Sequence, residues 1–160
     1  PLRMAAYGNP LADLFNTVQL LASGAQISVT SLANDPAGLP QTVRRRDILN
    51  AYPYTNTLTV MQITGAILRR AMERSAEYFT KGEDGQRVTE LSVNGKSVAA
   101  DDVFTACLSS YRASGTGGYD CYSGCPVLRE IGTEMSDLLL DFFKDPNAPE
   151  RIVPCDFRVI

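Results

Sequence analysis

Between Thr57 and Met72 the spacing of apolar residues changes period, and that change limits what the chain can fold into. Up to Ile63 the side chains alternate. Leu58, Val60 and Gln62 face one way, and Thr57, Thr59, Met61 and Ile63 the other, which is the period of a strand. From Ile67 the period is helical: Ile67, Leu68, Ala71, Met72 and Phe79 fall near one stripe, and Thr64 is placed to cap the helix. A strand running straight into an amphipathic helix predicts an α+β domain with helices laid on a sheet. Upstream, Asp47 to Ala51 reads as part of a short helix. Pro53 then fixes one backbone angle and restricts Tyr52 to extended conformations, so Tyr54 stands on a stiff corner. An aromatic there either offers a stacking platform or lies half-buried against the strand.

The remaining elements are read in the same way. Asn9 caps a helix with Pro10 in its first turn, an apolar stripe of Leu11, Leu14, Phe15, Val18, Leu21 and Ala22, and Gly24 at its end. Residues 26–32 form a strand with Ile27 and Val29 inward, followed by a loop over 33–40. Thr42 caps a short helix bearing Arg44, Arg45 and Arg46. Successive helical residues do not share a face, so these three read as a solvated basic turn, not a phosphate clamp. A turn over Lys81 to Gly85 precedes Asn94-Gly95, a strong hairpin signal between alternating residues. Residues 103–110 form another strand, which feeds the glycine-rich run Tyr111-Arg112-Ala113-Ser114-Gly115-Thr116-Gly117-Gly118-Tyr119. The run lacks the Gly-Lys-Ser/Thr of a P-loop and the following helix of a dinucleotide turn. From the residues alone it is either a structural turn or a close approach to a ligand. Thr133 caps a last helix with Met135, Leu138, Leu139 and Phe142 on its buried side. Asp145 to Pro149 forms a rigid exit loop, and Ile152, Val153, Phe157 and Val159 predict an extended segment packed back on the domain. No repeat or internal boundary divides residues 1–160, which read as one domain.

Composition matters most through one absence. The 160 residues include no His, which excludes a Ser/His/Asp triad, a His-based metal centre and an imidazole base from this chain. The net charge of -3 argues against a surface that coats nucleic acid, and no apolar run is long enough to span a bilayer. Of the four cysteines, Cys121 and Cys125 flank a short turn where a disulfide or two free thiols are both open; Cys107 and Cys155 read as small buried hydrophobes. The chain starts at Pro1 without a signal segment, and on that ground it is expected to be a piece or a processed product of a longer protein.

Two long stretches, DILNAYPYTNTLTVMQITGAILRRAME and SSYRASGTGGYDCYSGCPVLREIGTEMSDLLLDFF, resemble the C-terminal domain of the 5′-nucleotidase family. The Tyr-Pro-Tyr-x-Asn-Thr-Leu form is closest to the branch of 2′,3′-cyclic-nucleotide 2′-phosphodiesterases/3′-nucleotidases. With the opening GNPLADLFNTVQLLASGAQISVTSLAN, the resemblance covers nearly the whole chain. It implies a layered α/β/β/α domain that holds the base and ribose of a nucleotide. A metallophosphoesterase domain, absent from this chain, would bind two divalent metal ions and hydrolyse the phosphate ester. The resemblance places the two base-stacking aromatics at Tyr54 and Tyr111. Asn34 becomes a candidate donor from a loop that lacks the family's glycines and Arg. The family's aspartate in the glycine loop falls on Gly117, so backbone groups of Ser114, Gly115, Gly117 and Gly118 are expected in its place. Arg112 is expected to point outward and Asn56 to brace the turn. Several tens of residues that usually stand before the hairpin in that branch are not found here, either because the protein is shorter or because an insert near residues 80–87 is missing.

The expectation is a nucleoside- or nucleotide-binding specificity domain, not catalytic by itself, within an extracytoplasmic phosphohydrolase. Its ligand is a nucleoside or nucleotide rather than a nucleic-acid polymer, its partner is the metallophosphoesterase domain of the same polypeptide, and it inserts no segment into a membrane. Two other readings compete: a stand-alone nucleoside-binding module without catalysis, and a structural domain whose tyrosines are simply packed, which requires Tyr54 to be buried.

Overall fold

The computed structural model describes residues 6–155 and 159. Helix α1 (Pro10–Ser23) begins and ends as its sequence predicts. Asn9 accepts the Leu11 N–H at 2.8 Å, and the Gly24 N–H closes on the Leu20 carbonyl at 2.8 Å. Leu14, Phe15 and Val18 are buried, but Leu21 is 51% exposed. The inward face follows Phe15, Gln19 and Ser23, spaced one turn apart, and so drifts away from Leu21.

Strand β1 (Ile27–Val29) is shorter than the predicted span. Helix α2 (Arg45–Ala51) starts one residue past Arg44, whose backbone N–H donates to the Asp47 carboxylate at 2.9 Å; Thr42 is exposed and does not cap it. Strand β2 (Leu58–Thr64) passes directly into α3 (Gly65–Ser75) through the Thr64 cap, whose hydroxyl accepts the Ile67 N–H at 3.3 Å. Phe79 falls beyond the end of α3. The Glu73 carboxylate accepts the backbone N–H groups of Arg87 at 2.9 Å and Val88 at 2.7 Å, so the chain returns to α3 just after the 81–85 turn. The hairpin β3 (Ser92–Val93) and β4 (Lys96–Ser97) turns on Asn94 and Gly95, with φ of 52° and 74°. Strand β5 (Val103–Ser109) then leads into a single helical turn, α4 (Ser110–Ala113).

Strand β6 (Val127–Ile131) is not anticipated from sequence. It pairs with β2 across an irregularity at Val60/Met61, where Leu128 is the extra residue. Helix α5 (Met135–Phe142) lacks the expected Thr133 cap. Its first N–H, from Met135, is held instead by the Asn56 carbonyl at 2.9 Å. The final segment runs back along α1, where Val153 and Cys155 donate their N–H groups to Thr17 Oγ1 at 3.0 Å and Asp13 Oδ1 at 2.9 Å. This leaves Val153, Val159 and Cys155 on the outside, contrary to the buried reading of Cys155; Phe157 lies outside the described residues.

The four-stranded sheet has the order β1-β5-β2-β6, with β1 parallel to β5 and β2 antiparallel to both its neighbours. Both faces are covered, so the alternation in β2 sorts side chains between two cores. Leu58 enters one with Phe15, Ile48, Tyr52, Met135 and Leu139 from α1, α2 and α5. Met61 and Ile63 enter the other with Leu68, Ala71, Leu108 and Tyr122, beneath α3 and the hairpin residues Val93 and Val98. Burying each such large apolar side chain contributes about 1.5–3 kcal/mol. The register has a further consequence. Leu58 lies opposite both Ser109 and Ile131, and Val29 opposite Leu108. The start of β2 and the ends of β1, β5 and β6 therefore share one rim of the sheet. Among the described residues, no helix is long and apolar enough to cross a membrane.

Candidate functional site

Four connections meet at that rim: the loop after β1, which carries Ser31 and Asn34; the Tyr52–Thr57 corner before β2; α4 with the glycine loop after β5; and the approach to α5 after β6. They are tied to one another. Ser110 donates its N–H to the Thr57 carbonyl at 2.9 Å, and Met135 reaches Asn56.

The corner presents one tyrosine and buries another. Tyr52 is 3% exposed, its ring edge-on to Phe15 at 5.2 Å. Tyr54 is 44% exposed and stands edge-on against Tyr52 at 5.6 Å. Asn56 donates to the Tyr52 hydroxyl at 3.4 Å, so it braces the corner as expected. The aromatic chain Phe15–Tyr52–Tyr54 fixes the outer ring from behind while leaving much of it open. Burial pushes the Tyr52 phenol above its ordinary pKa.

Tyr111, the second residue of α4, is 49% exposed. Its carbonyl accepts the Ser114 hydroxyl at 2.8 Å, and Ser114 also shares a hydrogen with Thr116 Oγ1 at 2.7 Å. Gly115, Gly117 and Gly118 all have positive φ. At two of them a Cβ would also meet an arginine side chain, 2.7 Å from Arg112 Nη1 at Gly117 and 2.6 Å from Arg74 Nε at Gly118; the partly exposed Arg74 has room to shift, whereas Arg112 is buried and bonded in place. Asn34 is exposed in the β1 loop.

Arg112 does not point outward. It is 9% exposed, its guanidinium lying 4.0 Å from the Tyr119 ring centre and donating to the Thr116 carbonyl at 2.9 Å and the Ser31 hydroxyl at 2.5 Å. A planar, weakly hydrated guanidinium can be buried by stacking where an ammonium would resist it. Arg74 of α3 donates to the Gly117 carbonyl at 3.4 Å, so two backbone oxygens of the glycine loop, where ligand contacts are expected, are already engaged by arginines. No sequence signal distinguishes a buried Arg112 from a solvated one, because its partners come from Ser31 and Tyr119.

Tyr119 closes the site from beneath. Its hydroxyl shares a hydrogen with Ser75 at 2.8 Å, and its ring stacks on Tyr122 at 6.2 Å and 5°. Tyr122 is fully buried, and its hydroxyl has no partner among the described residues. Desolvation drives its pKa upward. Tyr122→Phe is expected to raise stability by about 1 kcal/mol, a rise of roughly 2–4 °C in Tm, because an unpaired buried hydroxyl is removed. A raised phenol pKa holds stability that is intact below the unfolded value and lost as pH rises through the folded one. The wild type is therefore expected to weaken from about pH 9, where the thiols of Cys107, Cys121, Cys125 and Cys155, all raised chiefly by burial, begin the fall, and more steeply above about pH 10; the variant is expected to weaken less above pH 10, with the remaining fall set by Tyr52 and the thiols. Thermal melts from pH 7 to 11 measure both; a variant less stable at every pH would contradict the unpaired hydroxyl.

Elsewhere, a groove of ≈ 600 Å³ runs along α3, lined by Arg69, Arg70, Glu73, Arg74, Glu77 and Arg87 among others. Most of those side chains hold the chain itself: Arg69 reaches the Val88 carbonyl, Arg87 the Phe79 carbonyl, and Arg74 pairs with Glu77. The four cysteines are free thiols, Cys107 buried and Cys121 and Cys125 partly so. Among the described residues no group of three or more His, Cys, Asp or Glu side chains could hold a metal ion, so the side chains present do not fit the two-ion centre that the resemblance implies for the other domain.

The sequence model of the family described as 5′-nucleotidase, C-terminal domain, matches residues 4–124. The trifunctional nucleotide phosphoesterase protein YfkN of Bacillus subtilis (strain 168) is 26% identical over 149 residues, covering 78% of this chain and 10% of that protein. Among solved structures, a Staphylococcus aureus protein described as a 5′-nucleotidase, in complex with α-ketoglutarate, superposes with a TM-score of 0.87 at 31% identity, over 98% of this chain and 38% of that one. A 5′-nucleotidase precursor of Thermus thermophilus shares the fold at a TM-score of 0.73 and 15% identity, over 93% of this chain and 34% of that one. The chain thus spans a tenth to two-fifths of the length of these relatives.

Proposed function

The chain belongs to the family of 5′-nucleotidase C-terminal domains, and on that premise we propose that it grips the base of a nucleotide between Tyr54 and Tyr111. The observation that carries this reading is the placement of two half-exposed tyrosines on one rim, set by the Leu58–Ser109 register and each backed by a fixed neighbour, Tyr52 or Arg112. The exposure of Tyr54 favours a platform over simple packing. Stacking on an aromatic contributes about 1–3 kcal/mol per base and tolerates any base, because every base has a π-face.

Hydrolysis belongs, in this proposal, to a metallophosphoesterase domain of a longer, extracytoplasmic polypeptide, with activity on 2′,3′-cyclic and 3′- or 5′-phosphate esters. The nucleotide phosphoesterase named among the relatives supports it. Two divalent ions bound there would supply the activated water. The residues of this chain hold and orient: Tyr54 and Tyr111 stack, and Asn34, the Ser114 carbonyl and the backbone of Gly118 reach the ribose, whereas Gly115 is taken up within the loop by the Arg112 carbonyl and the Tyr119 N–H.

The test is a titration with adenosine and with 3′-AMP, followed by tyrosine fluorescence corrected for absorption by the adenine; the chain has no Trp whose emission would overlap it. Saturable quenching with similar affinities for the two ligands is expected, since the base is what is gripped. Binding of 3′-AMP without adenosine would overturn the base-stacking reading, as would no quenching by either at millimolar concentration.

A further inference from the structure

Arg112 brings a permanent positive charge into the interior with no carboxylate against it among the described residues. Among the described residues its partners are the Thr116 carbonyl, the Ser31 hydroxyl, the Tyr119 ring and, at 5.9 Å, the Tyr111 ring, and its Nε is buried without an acceptor. A desolvated cation lacking a counter-ion is costly to keep. Filling the space under α4 does not require a charge, since an apolar side chain of similar length would do so. The guanidinium offers something else, a rigid fork with several donors in one plane. It joins the β1 loop at Ser31, which is distant in the chain, to its own glycine loop at Thr116 and Tyr119. Gly117 fits the same geometry, because any Cβ there would meet Arg112 Nη1 at 2.7 Å.

We propose that Arg112 is a positioning residue that locks the Ser31–Asn34 loop and the glycine loop to Tyr111, so that the stacking surface is assembled before a ligand arrives. A platform already ordered spends less of its binding energy on ordering side chains and loops. The role predicts coupling between two loops whose own sequences show none. Its effect on ligand affinity rests on the base-stacking reading; its effect on the loops does not.

The experiment is amide hydrogen exchange of the free chain, read by mass spectrometry on peptides covering 30–39 and 110–119. Arg112→Ala is expected to raise exchange in both segments roughly tenfold, with β2 and β5 unchanged. Ser31→Ala, which keeps the core intact, is expected to loosen 30–39 in the same direction. Arg112→Lys keeps the charge but loses the planar fork, and is expected to resemble Arg112→Ala. Unchanged exchange in 30–39 for both Arg112→Ala and Ser31→Ala overturns the proposal, and so does full protection in Arg112→Lys, which would leave charge alone as the cause. An adenosine titration of the same proteins separates the two readings. If exchange rises as expected but the wild type binds no adenosine, the stacking role fails while the loop coupling stands. If the wild type binds and Arg112→Ala binds equally well despite loosened loops, preassembly is overturned.

Discussion

Gly65→Ala is expected to cost the domain roughly 3 kcal/mol or more, a fall of about 10 °C in Tm or loss of the folded state. A Cβ at this position would lie 1.9 Å from the Ala99 carbonyl oxygen and 2.7 Å from Val98 Cγ1. Neither neighbour can move cheaply. The Gly65 N–H donates to the Asp102 carbonyl at 2.8 Å and the Ala66 N–H to the Ala100 carbonyl at 2.9 Å, so residues 100–102 close the exposed amides at the start of α3. The Asp102 carboxylate in turn holds the Ala99 N–H at 2.8 Å. Pushing that segment away opens both bonds and lifts Val98 off the second core. Gly132→Ala, where nothing lies within 4 Å, is the control and should melt with the wild type. If Gly65→Ala melted with it, the close approach between α3 and residues 98–102 would be wrong.

The second large effect is on binding. Tyr54→Ala/Tyr111→Ala is expected to abolish detectable nucleoside binding, since two stacking surfaces at about 1–3 kcal/mol each are removed. Each single variant should weaken binding by roughly tenfold or more, one factor of ten for about every 1.4 kcal/mol. Folding should be little affected, because both rings are close to half exposed, although Tyr54→Ala uncovers one edge of Tyr52 and so carries the larger share of any stability loss. Tyr→Phe at either position keeps the π-face and should bind nearly as well as the wild type. Fluorescence or calorimetric titration with adenosine measures all of these, and a double variant that binds like the wild type would remove the tyrosines from the site.

What could be read in advance was mostly local. The period change around Thr64, the Asn9 and Gly24 caps and the Asn94-Gly95 turn each depend on a few neighbouring residues, and each appears as the pattern requires. The misreadings concern groups whose state is decided by distant partners. Val127 to Ile131 carries Arg129 and Glu130 and is largely exposed, so it has no alternation to mark it; it is a strand because β2 offers an unpaired edge. Thr42 and Thr133 have good capping chemistry, yet Asp47 and the Asn56 carbonyl reach those helix starts instead. The two exposed tyrosines are legible only through a family resemblance that gives positions. Arg112 escapes because the same argument treats charge as a surface property, and only the assembled rim shows the ring and hydroxyl that take it in.

The division of β2 between two cores bears on how the molecule comes apart. Leu58 anchors one side of the sheet, and Met61 and Ile63 the other, within one unbroken strand. Neither helical layer can peel off without leaving half of that strand's side chains in water, so there is no cheap partly opened form in which one face survives alone. Because the rim grows from the ends of the same strands, a molecule that has lost either layer has also lost the spacing between its tyrosines. Recognition and folding are then lost together, and quality control acting on unfolded chains would also remove chains that cannot bind.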